Sequence, residues 1–129
     1  MKAVEEFIAQ FKGKTIGIAL NDLETGKEFY VNSDVMMHPA STMKVPVMME
    51  VFRQAEAGLL SLDDRLEIYN SFISIADGSL FMLDETDDSE LTLYRRIGES
   101  ETIHELTRLM IVRSSNLASN LLMDKVTTA

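Results

Sequence analysis

Apolar positions recur along this chain in two rhythms. Val4, Phe7, Ile8 and Phe11 share one face of a 3.6-residue repeat, so residues 3–11 are predicted to form a helix, which Gly13 stops. Thr15-Ile16-Gly17-Ile18-Ala19-Leu20 is instead short, apolar and rich in strand formers. Asn21 to Gly26 carries turn residues, and Lys27 to Val31 reads as the returning strand of a hairpin. A loop over 32–40 ends in His38-Pro39-Ala40. The helical rhythm then returns from Ser41 to Ala57, with Met43, Val47, Met48, Val51 and Phe52 as its stripe and Gly58 at its end. Pro46 sits near the start of this helix, where a missing backbone N–H does least harm.

Leu59 to Leu66 reads as a tight connection. Asp77-Gly78 and the run Asp84-Glu85-Thr86-Asp87-Asp88-Ser89-Glu90 predict an exposed, turn-rich loop over 77–90, and residues 91–97 a short helix. Thr102-Ile103-His104-Glu105 has the form of a capping box opening a helix that runs through Leu106, Leu109 and Met110 to about Val112. Asn116 to Lys125 predicts one more helix. There is no internal repeat, and no strand beyond the hairpin is evident. A two-stranded hairpin is marginal alone. Its apolar positions call for more strands or a helix, which suggests a fold cut short.

Length and composition narrow the function classes. The chain has 129 residues, enough for one domain, and its 46% apolar and 26% charged content is that of a globular protein. A formal net charge of -9 with no Lys/Arg cluster argues against nucleic acid and anionic membrane surfaces as partners. The absence of cysteine removes disulfides, thiolate metal sites and cysteine nucleophiles together. The N-terminus reads as an amphipathic helix rather than a signal peptide, and no apolar run approaches the roughly 20 residues of a membrane span. Two isolated histidines, His38 and His104, do not make a metal site, and the acidic run lacks the order of a calcium loop, so no metal or other cofactor is expected. The nine methionines are read as core filling, several of them at helical spacing.

Two short motifs carry chemistry. Ser41-Thr42-Met43-Lys44 is S-x-x-K, whose first and last residues share a helical face, so hydroxyl and amine can meet. A serine hydroxyl is a poor nucleophile until a base takes its proton, and lysine becomes that base when burial or a neighbouring cation lowers its pKa. A helix start adds backbone N–H groups and partial positive charge, which suit a developing oxyanion. The second motif, Ser114-Ser115-Asn116, is S-x-N in a turn between two helices. Taken alone, the first is a common chance pairing and the second an ordinary capping turn.

Together, and in this order, they resemble the class A-like β-lactamase and penicillin-binding serine hydrolase superfamily, where S-x-x-K opens a helix after a hairpin and S-x-N follows in the all-α region. Pro39 to Pro46, Thr102 to Leu106 and Ser114 to Leu122 are similar to the corresponding family segments. The resemblance implies an α+β, β-lactamase-like fold in which 1–129 is a partial domain. Residues 1–34 would give the helix and hairpin of the α/β part and 35–129 the helical part, with the C-terminal strands missing. It implies acylation at Ser41, proton removal assisted by Lys44 and proton delivery to the leaving group by Ser114. Asn116 would bind the substrate amide and steady Lys44, and the Ser41 N–H would form half of an oxyanion hole. The implied substrate is a β-lactam or a peptide-like amide or ester, and the implied setting exported, periplasmic or extracellular.

The chain departs from the family pattern at three points. Ser115 stands where class A enzymes usually carry Asp, as in some penicillin-binding proteins, and the acidic 77–90 segment lengthens the stretch between the motifs. The family's K-T-G motif, second oxyanion N–H and deacylating Glu would all lie beyond Ala129; Lys125-Val126-Thr127-Thr128 lacks the spacing and strand context of K-T-G. The expectation is therefore a serine hydrolase as parent and a truncated, inactive portion as the isolated chain. Association with another copy or with a complementing C-terminal portion would cover the hairpin edge. The alternatives are a penicillin-binding or transpeptidase-type protein slow to release its acyl group, and a non-catalytic fragment or interaction module.

Overall fold

The computed structural model describes residues 2–127. The chain divides into two compact units, Met1–Pro39 and Ala40–Ala129.

The first unit holds the predicted helix and hairpin. Helix α1 spans Lys2–Ile8, shorter than the 3–11 stripe, and buries none of its residues; Phe7 and Phe11 instead meet edge to face with ring centroids 5.2 Å apart. Strands β1 (Ile18–Asn21) and β2 (Glu28–Val31) pair antiparallel, with Ile18 opposite Val31 and Asn21 opposite Glu28. The turn is organised by Asp22. Its Oδ1 accepts from the N–H groups of Glu24 and Thr25, and its carbonyl accepts from Gly26, whose φ of 68° suits a residue without Cβ.

The second unit is built on three helices. A 3₁₀ turn over Ala40–Met43 runs directly into α2 (Lys44–Glu56). Pro46 therefore lies in the first α-helical turn, where its missing N–H had no helical partner to lose. Helix α3 spans Ile103–Val112 and α4 spans Asn116–Thr127. Val51 of α2, Leu106 and Met110 of α3, and Leu117 and Leu122 of α4 are fully buried in one shared core.

The predicted capping box of α3 is half realised. Thr102 Oγ1 accepts from Glu105 N–H at 3.1 Å, but the Thr102 N–H is taken by Glu101, and the Glu105 carboxylate pairs with Arg108 instead. The N–H groups of Ile103 and His104 are satisfied by the carbonyls of Asp64 and Leu62.

The stretch between α2 and α3 differs most from the sequence reading. It contains four short strands that the pattern did not reveal: β3 (Arg65–Glu67), β4 (Phe72–Ile73), β5 (Leu80–Phe81) and β6 (Ser100–Thr102). They pair antiparallel as β3 with β6 and β4 with β5. At two or three residues each they are too short to show a period of two. The expected short helix over 91–97 is a 3₁₀ turn at Tyr94–Arg96.

The acidic segment also differs. Residues Asp84 to Asp87 are exposed as expected, but Asp88 and Glu90 are buried, at 9% and 5% exposure. Each carboxylate is spent on backbone donors. Glu90 takes the N–H groups of Thr92 and Leu93, and Asp88 reaches across to α4.

Candidate active site

The α2 stripe decides where Lys44 points. Val47, Met48 and Val51 follow it at i+3, i+4 and i+7 and pack on the core, so Lys44 shares the buried face and is only 5% exposed. Ser41, three residues earlier in the 3₁₀ turn, stays exposed. Hydroxyl and amine are thus delivered by one continuous helical segment, the former facing outward and the latter sunk beneath it.

The second motif is presented by the α3–α4 turn. Helix α3 ends where Ser114 adopts φ 55°, the left-handed region that a glycine ordinarily fills after a helix. The N–H of Ser115 turns back to the Leu109 carbonyl at 3.2 Å. Ser115 is fully buried, and its Oγ accepts from the Ala118 N–H at 3.1 Å, so the middle residue of S-x-N caps α4. Ser114 and Asn116, on either side of it, are half-buried and face α2.

All four residues singled out in the sequence come together. Ser41 Oγ lies 2.9 Å from Ser114 Oγ. Lys44 Nζ donates to the Ser114 carbonyl at 2.6 Å, to Ser114 Oγ at 3.0 Å and to Asn116 Oδ1 at 3.0 Å. These acceptors match the three N–H groups of an ammonium. Once neutral, the amine would hold a lone pair against the Ser114 hydroxyl. Burial lowers the Lys44 pKa from its ordinary value, and the charge of Asp88 partly opposes that shift.

The Asn116 amide is itself oriented. Its Nδ2 donates to the Asp87 carbonyl at 3.0 Å, which leaves Oδ1 for Lys44. Asp88 Oδ2 accepts from the Asn116 and Leu117 N–H groups, both at 2.8 Å, and from the Tyr94 hydroxyl at 3.0 Å. Burial and the neighbouring carboxylates hold the Tyr94 phenol well above its ordinary pKa, so it stays a donor. Sequence reasoning missed Asp87 and Asp88 because an acidic run looks like a solvated loop. The available signal was that α4 opens directly on Asn116, with two leading N–H groups in need of an acceptor.

His104 is exposed in the first turn of α3, and His38 is exposed in the Met1–Pro39 unit. Tyr69 hydrogen-bonds the Asp124 carboxylate, and its pKa is pushed up to about 12, first by burial and then by that partner. Among the described residues, no group of three or more His, Asp or Glu could hold a metal ion, and no helix is long and apolar enough to cross a membrane.

A serine hydroxyl is thus linked through a second serine to a buried lysine, on a helical segment facing an interhelical turn. Comparison with known proteins gives the family. The profile of the β-lactamase enzyme family matches residues 1–129, and the chain belongs to that family. A β-lactamase of Rhodobacter capsulatus is 28% identical over 126 residues, which cover 95% of this chain and 39% of that protein. The crystal structure of a β-lactamase from Sphaerobacter thermophilus is 30% identical and superposes with a TM-score of 0.70, covering 96% of this chain and 42% of that one. A PBP-A mutant solved as its acyl-enzyme complex with penicillin G superposes with a TM-score of 0.74 at 20% identity, covering 97% and 43%. The α+β, β-lactamase-like fold predicted from sequence is therefore the observed one. This chain spans about two fifths of the length of these relatives.

Proposed function

We propose that Ser41 is the nucleophile of a serine hydrolase acting on β-lactams or related amides and esters, and that this chain carries the nucleophile-and-base part of that site. The observation that supports this most directly is the unbroken chain from Ser41 Oγ through Ser114 Oγ to Lys44 Nζ, with links of 2.9 and 3.0 Å.

In this reading neutral Lys44 takes the Ser114 hydroxyl proton as Ser114 takes that of Ser41. The Ser41 oxygen then bonds to the substrate carbonyl carbon, and the carbonyl electron pair moves onto its oxygen, stabilised by N–H groups at the helix start. When the tetrahedral intermediate collapses, the C–N bond breaks and the departing nitrogen receives the proton back through Ser114. Asn116 keeps Lys44 in place and offers its amide to the substrate. Water then cleaves the Ser41 ester, releasing the acid and restoring the serine.

A second reading is favoured by Ser115, which brings no carboxylate to the middle of S-x-N. It is a penicillin-binding or transpeptidase-type protein that acylates readily and releases slowly. A third is a segment that keeps the fold and does no chemistry alone, completed by a further polypeptide segment or a second copy.

The deciding experiment is intact mass spectrometry after incubation with benzylpenicillin, with Ser41→Ala as control. One added penicillin on the unmutated chain alone supports acylation, and its persistence or loss over time separates the first reading from the second. No adduct on the unmutated chain supports the third. Equal labelling of both chains would discard Ser41 as nucleophile.

A further inference from the structure

Asp88 lies 28 residues from Asn116 in sequence, yet its carboxylate is the acceptor for the first two N–H groups of α4. Both of its oxygens are committed. Oδ2 takes Asn116 N–H, Leu117 N–H and the Tyr94 hydroxyl and lies 3.5 Å from Ser115 Oγ, while Oδ1 takes Glu90 N–H at 3.0 Å. The carbonyl of the preceding residue, Asp87, fixes the Asn116 amide. One dipeptide of the acidic segment thus holds Asn116 by its backbone and by its side chain. Ser114 sits next in line in a left-handed conformation that its own preferences do not favour.

We propose that Asp88 is a positioning residue for the acyl-transfer site: its carboxylate ties the Ser114–Asn116 turn to the acidic segment and so aims Ser114 Oγ and Asn116 Oδ1 at Lys44. The inference rests on the functional reading above for its catalytic consequence, but its geometric content stands apart from any substrate. A purely structural cap would be indifferent to charge, since Asn caps a helix as well as Asp. Asp88 is not indifferent, because its field favours the charged form of Lys44 against the effect of burial. The other ionisable groups around the carboxylate are Tyr94, which donates to it, and Glu90, two residues on; Asp84 and Glu85 act on Tyr94 in turn.

Two variants and two readouts test this in the full chain. The first readout is the second-order rate of acylation by a fluorescent penicillin. The second is the Lys44 titration midpoint, followed by the ¹³Cε shift of labelled lysine and assigned with Lys44→Met. Asp88→Ala removes cap and charge and should slow acylation about 100-fold, the scale of a 1 Å misplacement. Asp88→Asn keeps an acceptor oxygen for the two α4 N–H groups and gives up only the one for Glu90 N–H, should recover most of that loss at high pH, and should lower the Lys44 midpoint. An unchanged acylation rate in Asp88→Ala, or an unchanged Lys44 midpoint in Asp88→Asn, overturns the proposal. Should the unmutated chain take no acyl group, the functional reading fails by itself and the Lys44 midpoint still decides the role of Asp88. Should Asp88→Ala not fold, the Asp88→Asn titration decides it.

Discussion

Lys44 Nζ contacts Ser114 twice, at the backbone carbonyl 2.6 Å away and at the hydroxyl 3.0 Å away. The carbonyl bond anchors the amine whatever residue stands at 114, while the hydroxyl bond alone continues to Ser41. Removing the hydroxyl should therefore leave Lys44 in place and break the proton path. Ser114→Ala is expected to slow acylation about 10²–10³-fold, the range of a lost acid–base relay. Ser41→Ala should abolish it. Stopped-flow labelling with a fluorescent penicillin separates the two. Equal rates in Ser114→Ala and the unmutated chain would remove Ser114 from the path.

The backbone at Ser114 makes a separate prediction. At φ 55° a Cβ costs about 1–2 kcal/mol relative to glycine. Ser114→Gly and Ser114→Ala both lose the hydroxyl, so their difference isolates the backbone. Ser114→Gly should be the more stable by about 1 kcal/mol in urea denaturation while being as slow as Ser114→Ala in acylation. The serine would then be retained against the preference of its own backbone, as strain at functional sites generally is. A less stable Gly variant would show that no strain is held there.

The acylation rate should depend on pH through Lys44. In the proposed mechanism the reactive form is the neutral amine, and burial lowers the Lys44 pKa from 10.5. The rate should rise with pH and level off once Lys44 is deprotonated, below the pH at which an ordinary exposed lysine would do so. In Asp88→Asn the same limb should move to still lower pH, because the charge that favours the ammonium is gone. A pH–rate profile of the unmutated chain levelling off only near 10.5 would show that burial does not tune this lysine.

The elements that the sequence made legible are those with long periods. The stripe from Val47 to Val51 fixed α2 and, by extension, which way Lys44 faces, and the Thr102 cap located the start of α3 to the residue. The paired motifs by themselves pointed to Ser41, Lys44, Ser114 and Asn116 as one cluster. Strands β3 to β6 escaped because two or three residues carry no periodicity. Asp88 and Glu90 escaped for a different reason. Composition reports only that a residue is charged, and these two carboxylates are buried because backbone donors far away or just ahead in the chain replace their water. Neither Asn116 nor Leu93 announces in sequence which carboxylate its N–H will meet.

Glu90 gives the last prediction. It is 5% exposed, and its carboxylate accepts from Thr92 N–H at 3.0 Å, Thr92 Oγ1 at 2.5 Å and Leu93 N–H at 3.1 Å. Glu90→Ala leaves the buried Leu93 N–H without its acceptor and should cost about 1–3 kcal/mol. Burial by itself would raise the Glu90 pKa, as would the charge of Asp88, but the hydrogen bonds from Thr92 and Leu93 prevail and hold it below its ordinary 4.5. A carboxyl whose folded pKa is depressed stabilises the fold above its unfolded pKa and loses that contribution as pH falls through the folded value. The stability gap between the unmutated chain and Glu90→Gln should thus be full at pH 7 and shrink below pH 4.5. Urea denaturation of both chains at neutral and acidic pH measures it. A gap that does not change with pH would mean that the Glu90 hydrogen bonds act by shape alone and that its charge contributes nothing to holding the segment that carries Asp88.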